Sequence, residues 1–267
     1  MMATRAEMMV TNAKALVGCG YAWGATGQIC TQAVLNQLAK LYPDQPNLME
    51  ICPKWIGKRI YDCATLVRAC LRAAGINICS GATSQWKGDY WEEKGTIDQM
   101  PKDRPCVLYY NKTGTVMQHT GIYLGDGTVI DARGSREGVI QSKLESRVWT
   151  HYTVPKGLHE AIEVITATVV ANSGGTVRMR RYASTTSATI RNVPLGEQLQ
   201  ITEQGNEWAA VMDDSGHSGF MMRKFLAIEG DLGDQDTYTV QLLDATAAER
   251  DVIQKACPRV EVAKNVG

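Results

Sequence analysis

The 267-residue chain lacks several features that would place it in a common functional class. Lys plus Arg and Asp plus Glu each total 28, so there is no basic surplus for binding nucleic-acid phosphates. No run of about 18 apolar residues occurs, which excludes a transmembrane helix. None of the eight Cys forms a C-x-x-C pair or lies at a zinc-ligand spacing from His. The sequence therefore predicts no nucleic-acid partner, no membrane span and no metal or other cofactor.

The first twenty residues also lack a continuous apolar segment of signal-peptide length, because Asn12 and Lys14 interrupt it. We therefore expect synthesis in the cytoplasm and no export by a signal peptide.

Seven of the eight Cys lie within the first 106 residues, a pattern that could be a disulfide framework. Without a secretory signal we favour reduced thiols, most of them buried.

Residues 1–160 mix helical and strand patterns. Apolar spacing predicts the helices, and the short polar side chains of Thr31 and Asp62 directly before two of them are placed as their caps. The turn Gly125-Asp126-Gly127 predicts a hairpin between two strands. The predicted helices span 8–18, 31–41 and 63–74, and the predicted strands 107–110, 116–124 and 128–132.

The remainder divides into two further segments. Residues 164–228 contain short apolar runs separated by turn residues about every 8 to 12 positions, as in a small all-β barrel. Residues 229–267 carry 4 basic and 8 acidic side chains and form an acidic linker followed by a strand over 238–243 and a helix over 245–256. The role of this last segment is left open.

Cys63 is the first candidate for catalysis because it opens a predicted helix directly after Asp62. Backbone N–H groups and the helix dipole at this position are expected to stabilise a thiolate, which is the nucleophilic form. A buried Cys that only packs is the alternative and, for any one of eight Cys, the commoner case.

His119 is the candidate base, since it lies within a predicted strand and only four His are present. A three-residue turn at 125–127 pairs Leu124 with Thr128 and Gly121 with Asp131. His119 and Asp131 then become diagonal neighbours on one face, where a carboxylate can orient the imidazole. A half-buried structural His and a solvated Asp are the alternatives.

Four segments together resemble the NlpC-type cell-wall peptidases: Tyr21-Ala-Trp-Gly-Ala, Tyr61-Asp-Cys-Ala-Thr-Leu-Val, His119-Thr-Gly-Ile-Tyr-Leu-Gly-Asp-Gly and Val129-Ile-Asp-Ala. The resemblance covers about residues 8–155. It implies an α+β, papain-like fold with the Cys-bearing helix packed on an antiparallel sheet.

The resemblance also assigns site residues. It implies that Cys63 is the nucleophile, His119 the base and Asp131 the orienting residue. Tyr21 would line the site and assist the backbone N–H of Cys63 at the oxyanion. Asp62 and Trp23 are the expected substrate-binding residues.

Two departures from the family pattern affect what the resemblance implies. The family usually reads Asp-Cys-Ser-Gly, whereas this chain has Ala64 and Thr65 after Cys63, which puts the stem-peptide specificity in doubt. The third catalytic position is commonly His and here is Asp131. The long stretch between Trp23 and Tyr61 resembles an insertion in phage-encoded members, so a phage or prophage lysin is expected.

Residues 166–228 resemble a bacterial SH3-like domain, on the motifs Val177-Arg-Met-Arg-Arg, Asn206-Glu-Trp-Ala-Ala-Val and Gly219-Phe-Met. In that family such domains bind wall peptides or glycans. A packing or dimerisation role is the alternative, and the oligomeric state is left open.

Three functions remain open at this point. The first is a cysteine endopeptidase that cleaves the stem peptide of bacterial peptidoglycan, typically between γ-D-Glu and a diamino acid. The second is an N-acetylmuramoyl-L-alanine amidase with the same Cys and His. The third is a non-catalytic wall-binding or virion module. Trp86 and Trp91 fit either sugar stacking or a core anchor. The charges of 133–136 are expected in a solvated loop, with binding of a substrate carboxylate as the alternative.

Overall fold

The structure is a computed structural model that describes residues 2–228 except 113, 115, 164, 173 and 205. The chain separates into two units, residues 1–229 and 230–267. The strand predicted at 238–243, the helix predicted at 245–256 and Cys257 lie outside the described residues. The predicted division near residue 160 stays a prediction.

Five α-helices are described in the first unit: α1 (Arg5–Ala15), α2 (Gln32–Leu41), α3 (Asn47–Glu50), α4 (Cys63–Ala73) and α5 (Ala82–Lys87). Short 3₁₀ turns occur at Cys52–Trp55, Ile97–Gln99, Leu144–Ser146 and Arg223–Phe225.

Eighteen strands are described. The first eleven are β1 (Met2–Thr4), β2 (Gly20–Tyr21), β3 (Thr26–Ile29), β4 (Arg59–Tyr61), β5 (Trp91–Thr96), β6 (Cys106–Tyr110), β7 (His119–Tyr123), β8 (Thr128–Gly134), β9 (Gly138–Lys143), β10 (His151–Pro155) and β11 (Ala161–Glu163). The others are β12 (Ile165–Val169), β13 (Thr176–Arg180), β14 (Thr189–Pro194), β15 (Gln198–Gln204), β16 (Trp208–Met212), β17 (Ser218–Met222) and β18 (Leu226–Ile228).

The predicted helix caps are observed at α2 and α4. The Thr31 hydroxyl accepts the Val34 N–H at 3.2 Å, and Asp62 caps α4. The predicted helix over 8–18 has the wrong bounds, because α1 begins at Arg5. Thr4 and Glu7 form a capping box there, which satisfies N–H groups at the helix start three residues earlier than the apolar pattern indicates.

A six-stranded antiparallel sheet in the order β5-β10-β6-β7-β8-β9 forms the centre of the first region. Helix α4 packs on β7 and β8, and α1 packs on α4. The expected α+β arrangement, with the Cys-bearing helix on an antiparallel sheet, is therefore confirmed. The strand expected over 116–124 is shorter, because β7 begins at His119.

A small sheet, in the order β2-β4-β3, lies at the start of α4. Strand β2 is parallel to β4 and pairs Tyr21 with Tyr61. Because Asp62 and Cys63 follow Tyr61 directly, this pairing places Tyr21 beside the start of the helix.

Residues 165–228 form a seven-stranded antiparallel sheet in the order β14-β13-β17-β16-β15-β12-β18, with its own apolar cluster that includes Met179, Val211 and Met221. The all-β character of the segment is as predicted. The sheet has two edges in the described part of the chain, so the expected closed SH3-like barrel is not confirmed. Within the described residues, no helix is long and apolar enough to cross a bilayer.

Candidate active site

Cys63 is the first residue of α4, and a reciprocal cap fixes its position. The Thr65 N–H donates to Oδ1 of Asp62 at 2.8 Å, and the Asp62 N–H donates to Oγ1 of Thr65 at 3.1 Å. The Thr65 hydroxyl also donates to the Ala25 carbonyl at 2.6 Å. Thr65, which departs from the family motif, thus anchors the helix start to the segment that follows Tyr21.

The Cys63 thiol does not behave as the helix-dipole argument predicts. Burial and the neighbouring Asp62 raise the pKa of Cys63 to about 12. Hydrogen bonds from the backbone N–H groups of Thr120, Ala64 and Cys63 itself act in the opposite direction but are outweighed. The position at the helix start therefore does not by itself lower the pKa of Cys63, and burial favours the neutral thiol.

The β7–β8 hairpin has the predicted geometry. Gly125 and Gly127 both have a φ of +85°, which the three-residue turn requires at Gly127. Ile122 faces Ile130 and Tyr123 faces Val129, so the same register places Gly121 opposite Asp131.

This register brings the predicted base and its partner together. Nε2 of His119 lies 2.7 Å from Oδ2 of Asp131, and both side chains are buried. A carboxylate only accepts, so Nε2 carries the proton and Nδ1 is left as the acceptor. The backbone N–H of Thr120, the next residue, reaches the Cys63 sulfur. The strand that carries His119 therefore lies directly against the nucleophile position.

The imidazole of His119 is buried and packed against an aromatic ring. The His119 ring stacks on Trp149, with ring centroids 5.6 Å apart and planes 29° apart. Burial lowers the pKa of His119 below its ordinary value, and the hydrogen bond to Asp131 opposes this shift without reversing it. Burial thus favours the neutral form of both the imidazole and the Cys63 thiol.

Asp131 has partners that the sequence analysis missed. Nε of Arg133 donates to its Oδ2 at 3.0 Å and Nη2 donates to its Oδ1 at 3.0 Å, while Arg147 Nη1 lies 4.0 Å from Oδ2. Burial raises the pKa of Asp131, but hydrogen bonds from His119 and Arg133 hold it below its ordinary value. Arg133 was expected in a solvated loop, and this expectation is wrong. Its position two residues after Asp131 on one strand face was the available signal.

A cavity of about 270 Å³ opens beside the nucleophile. Tyr21, Trp23, Asp62, Cys63 and Met117 are among its lining residues, so the predicted binding residues share one space with the thiol. Tyr21 is buried, and burial together with nearby Cys63 and Asp62 raises its phenol pKa, which keeps the hydroxyl protonated as a donor. Trp23 is 43% exposed at the rim.

Gln85 is a second residue that the sequence analysis missed. Its buried Nε2 donates to the carbonyls of Ala64 at 2.9 Å and Cys79 at 3.1 Å. The Trp91 Nε1–H in turn donates to the Gln85 carbonyl at 2.9 Å. This chain of bonds ties α5 and one wall of the cavity to the first turn of α4.

The two tryptophans of the α5–β5 region are packed against the core. Trp91 is buried, and Trp86 makes edge contacts with Tyr109 and His151 at centroid distances of 5.6 and 4.9 Å. Of the two interpretations left open, the structure favours the core anchor.

The seven described Cys are all free, including Cys63. No group of three or more His, Cys, Asp or Glu that could hold a metal is found among the described residues.

Comparisons with known proteins place this site in context. Residues 51–157 match the model of the NlpC/P60 family, a range that includes Cys63, His119 and Asp131. No curated protein matches the chain.

Two solved structures illustrate the structural similarity. The peptidoglycan hydrolase RipB from Mycobacterium tuberculosis is 19% identical, with a TM-score of 0.39 over 56% of this chain and 63% of that chain. This chain therefore spans less than two thirds of that structure. The P60 domain of antigen MAP1204 from M. avium subspecies paratuberculosis is 18% identical, with a TM-score of 0.38 over 56% of this chain and 93% of that chain.

Proposed function

We propose that the protein is a peptidoglycan hydrolase of the cysteine endopeptidase type, with Cys63 as nucleophile, His119 as base and Asp131 as the orienting residue. One observation carries the proposal. A Cys at the start of a helix lies against the strand that carries a buried His–Asp pair, and a cavity opens beside the sulfur. The match of residues 51–157 to the NlpC/P60 family supports the assignment.

The resting protonation states determine the first chemical step. With Cys63 a thiol and His119 neutral, the sulfur attacks the amide carbon while its proton moves to Nδ1 of His119. Asp131 then stabilises the imidazolium through the bond to Nε2. The amide C–N bond breaks, the imidazolium protonates the leaving amine, and a thioester to Cys63 remains.

Hydrolysis of the thioester completes the reaction. Neutral His119 removes a proton from water, the hydroxide adds to the thioester carbon, and the Cys63 sulfur leaves and takes the proton back. The Cys63 backbone N–H and the protonated Tyr21 hydroxyl are the proposed donors to the oxyanion. Asp62 and Trp23, which line the cavity, would contact the substrate.

For the bond, we propose the amide between γ-D-Glu and the diamino acid of the stem peptide. For the setting, we propose a phage-type lysin made in the cytoplasm that acts on the wall, with residues 166–228 as an SH3-like wall-binding region. These assignments rest on the sequence motifs.

Mass spectrometry of purified peptidoglycan treated with wild type, Cys63→Ala and Cys79→Ala tests the proposal. Cys79→Ala is the matched control, since Cys79 is a half-buried free thiol that does not line the cavity. We expect fragments split after γ-D-Glu from wild type and Cys79→Ala only. Cleavage at muramoyl–L-Ala would replace the endopeptidase by the amidase. Full activity of Cys63→Ala would refute the nucleophile, and binding without cleavage of any wall would favour the non-catalytic module.

A further inference from the structure

A narrow crevice that does not include Cys63, His119 or Asp131 collects three arginines from separate parts of the first unit. Arg59 lies on β4, Arg72 in the last turn of α4, and Arg181 directly after β13. All three side chains line the same crevice, which lies where the first region meets the seven-stranded sheet.

The three guanidinium groups are poorly neutralised. Among the described residues, no Asp or Glu oxygen lies within 4.0 Å of any of them. Arg59 donates to the Gly27 carbonyl, and Arg181 interacts with the hydroxyls of Thr26, at 3.4 Å, and of Tyr182. Arg72 has no hydrogen-bond acceptor within the described part of the chain, and its guanidinium lies over the rings of Tyr182 and Phe220.

The groups also repel one another. Burial is the largest cause that lowers the pKa of Arg72 and of Arg181; Tyr182 and Tyr61 oppose it, and neighbouring guanidinium groups lower it further. Arg68 and Arg181 act on Arg72, and Arg59 acts on Arg181, so Arg181 shares a repulsion with each of the other two arginines of the crevice. Half-buried cations without counter-charges are costly, and a bound anion would remove that cost.

Tyr61 provides a second, independent observation. Its ring lines the same crevice and is 93% buried, since its exposed fraction is 7%. Its hydroxyl has no hydrogen-bond partner within the described residues. It lies close to Gly27, where an added Cβ would come within 2.9 Å of the Tyr61 oxygen. Burial raises the pKa of this phenol, so it stays a donor.

We propose that this crevice is an anion site that binds a single phosphate group. Three guanidinium forks and one phenol supply more donors than a carboxylate with two oxygens can accept, whereas a tetrahedral phosphate offers up to four oxygens. The space available, about 30 Å³, suits a small group rather than an extended chain. The phosphate can come from the free ion or from a phosphodiester such as that of a glycerol-phosphate wall polymer.

The test is thermal unfolding of the full chain with increasing inorganic phosphate or glycerophosphoglycerol, against potassium chloride at matched ionic strength. Wild type, Arg181→Gln, Arg59→Gln and the control Arg178→Gln are compared; Arg178 is an exposed arginine on β13. We expect a saturable rise in Tm for wild type and Arg178→Gln, and at least tenfold weaker binding in the other two variants.

Without phosphate, Arg181→Gln should have a Tm equal to or above that of wild type, because it removes the charge that repels both other arginines. A variant that is as stable as wild type without phosphate but binds phosphate more weakly has lost a binding residue and not a structural one. Saturation by inorganic phosphate alone would assign the free ion, and saturation by the diester would assign a polymer. An equal response of all four proteins, or no saturable response beyond that to chloride, would overturn the site.

Discussion

Gly121 is the position at which one added methyl group should disturb the proposed catalytic pair most directly. It lies on β7 between His119 and the strand partner Asp131. A Cβ built at Gly121 would lie 2.9 Å from Cβ of Asp131 and 2.9 Å from a ring carbon of Trp149. Ordinary carbon contacts begin near 3.4 Å, so both neighbours must move in Gly121→Ala.

Neither neighbour moves freely. Asp131 is fully buried and held by two hydrogen-bonding nitrogens of Arg133, and Trp149 is 6% exposed and stacked on His119. Overpacking a filled core costs about 1–3 kcal/mol, and two simultaneous contacts favour the upper half of that range. Since the displaced groups hold the imidazole on two sides, we expect wall-lytic kcat/KM to fall about 10²-fold.

Urea unfolding and turnover of purified peptidoglycan measure the two effects. Gly175→Ala is the matched control, because Gly175 is exposed, has no atom within 4 Å of an added Cβ and has no positive φ. Gly121→Ala with the stability and activity of Gly175→Ala would refute the close packing around His119. Lost stability with unchanged activity would refute only the positioning of the imidazole.

Three further predictions follow from the buried charges. Asp131→Asn should lower the free energy of unfolding by about 3–5 kcal/mol, because Arg133 loses its buried counter-charge, and urea unfolding measures this. The depressed pKa of His119 contributes stability that is present above pH 6.5 and lost as the pH falls below it; Asp131 adds a further loss below about pH 3.8. Tm from pH 8 to 3 should therefore fall on acidification, and His119→Gln should flatten the upper part of the curve. Alkylation of Cys63 should be slower than that of a model thiol at pH 7 and accelerate up to pH 10; a pH-independent rate would contradict the resting thiol.

The last prediction changes how a slow thiol is interpreted. A Cys63 thiol that is no more reactive than a free thiol does not by itself indicate the non-catalytic module. In the structure the resting pair is neutral because both groups are buried, so slow alkylation is compatible with an active site. Cleavage of peptidoglycan is therefore the discriminating measurement.

The parts of the site that were predictable from the sequence depend on local rules. The caps at Thr31 and Asp62 follow from short side chains that accept N–H groups at helix starts. The turn around Gly127 fixes the register of two adjacent strands, and that register alone brings His119 next to Asp131.

The parts that were missed depend on contacts distant in sequence or on burial. Gln85 acts through the Ala64 carbonyl, 21 residues away, and no local pattern indicates this bond. The pKa of Cys63 depends on how deeply β7 covers the helix start, and the helix dipole is only one contribution to it. Closure of a seven-stranded sheet depends on how its edge strands meet, which spacing between turns does not specify.

The depth at which His119 is buried matters for the proposed chemistry. A buried carboxylate beside an imidazole would by itself favour the imidazolium strongly. Here burial outweighs the carboxylate, Arg147 and Arg133 add smaller effects, and the pKa of His119 lies below its ordinary value. The imidazole therefore stays available as a base at neutral pH. Since the thiol proton must reach Nδ1 of His119 before or during attack, the burial that lowers the pKa of the imidazole also keeps the acceptor of that proton unoccupied.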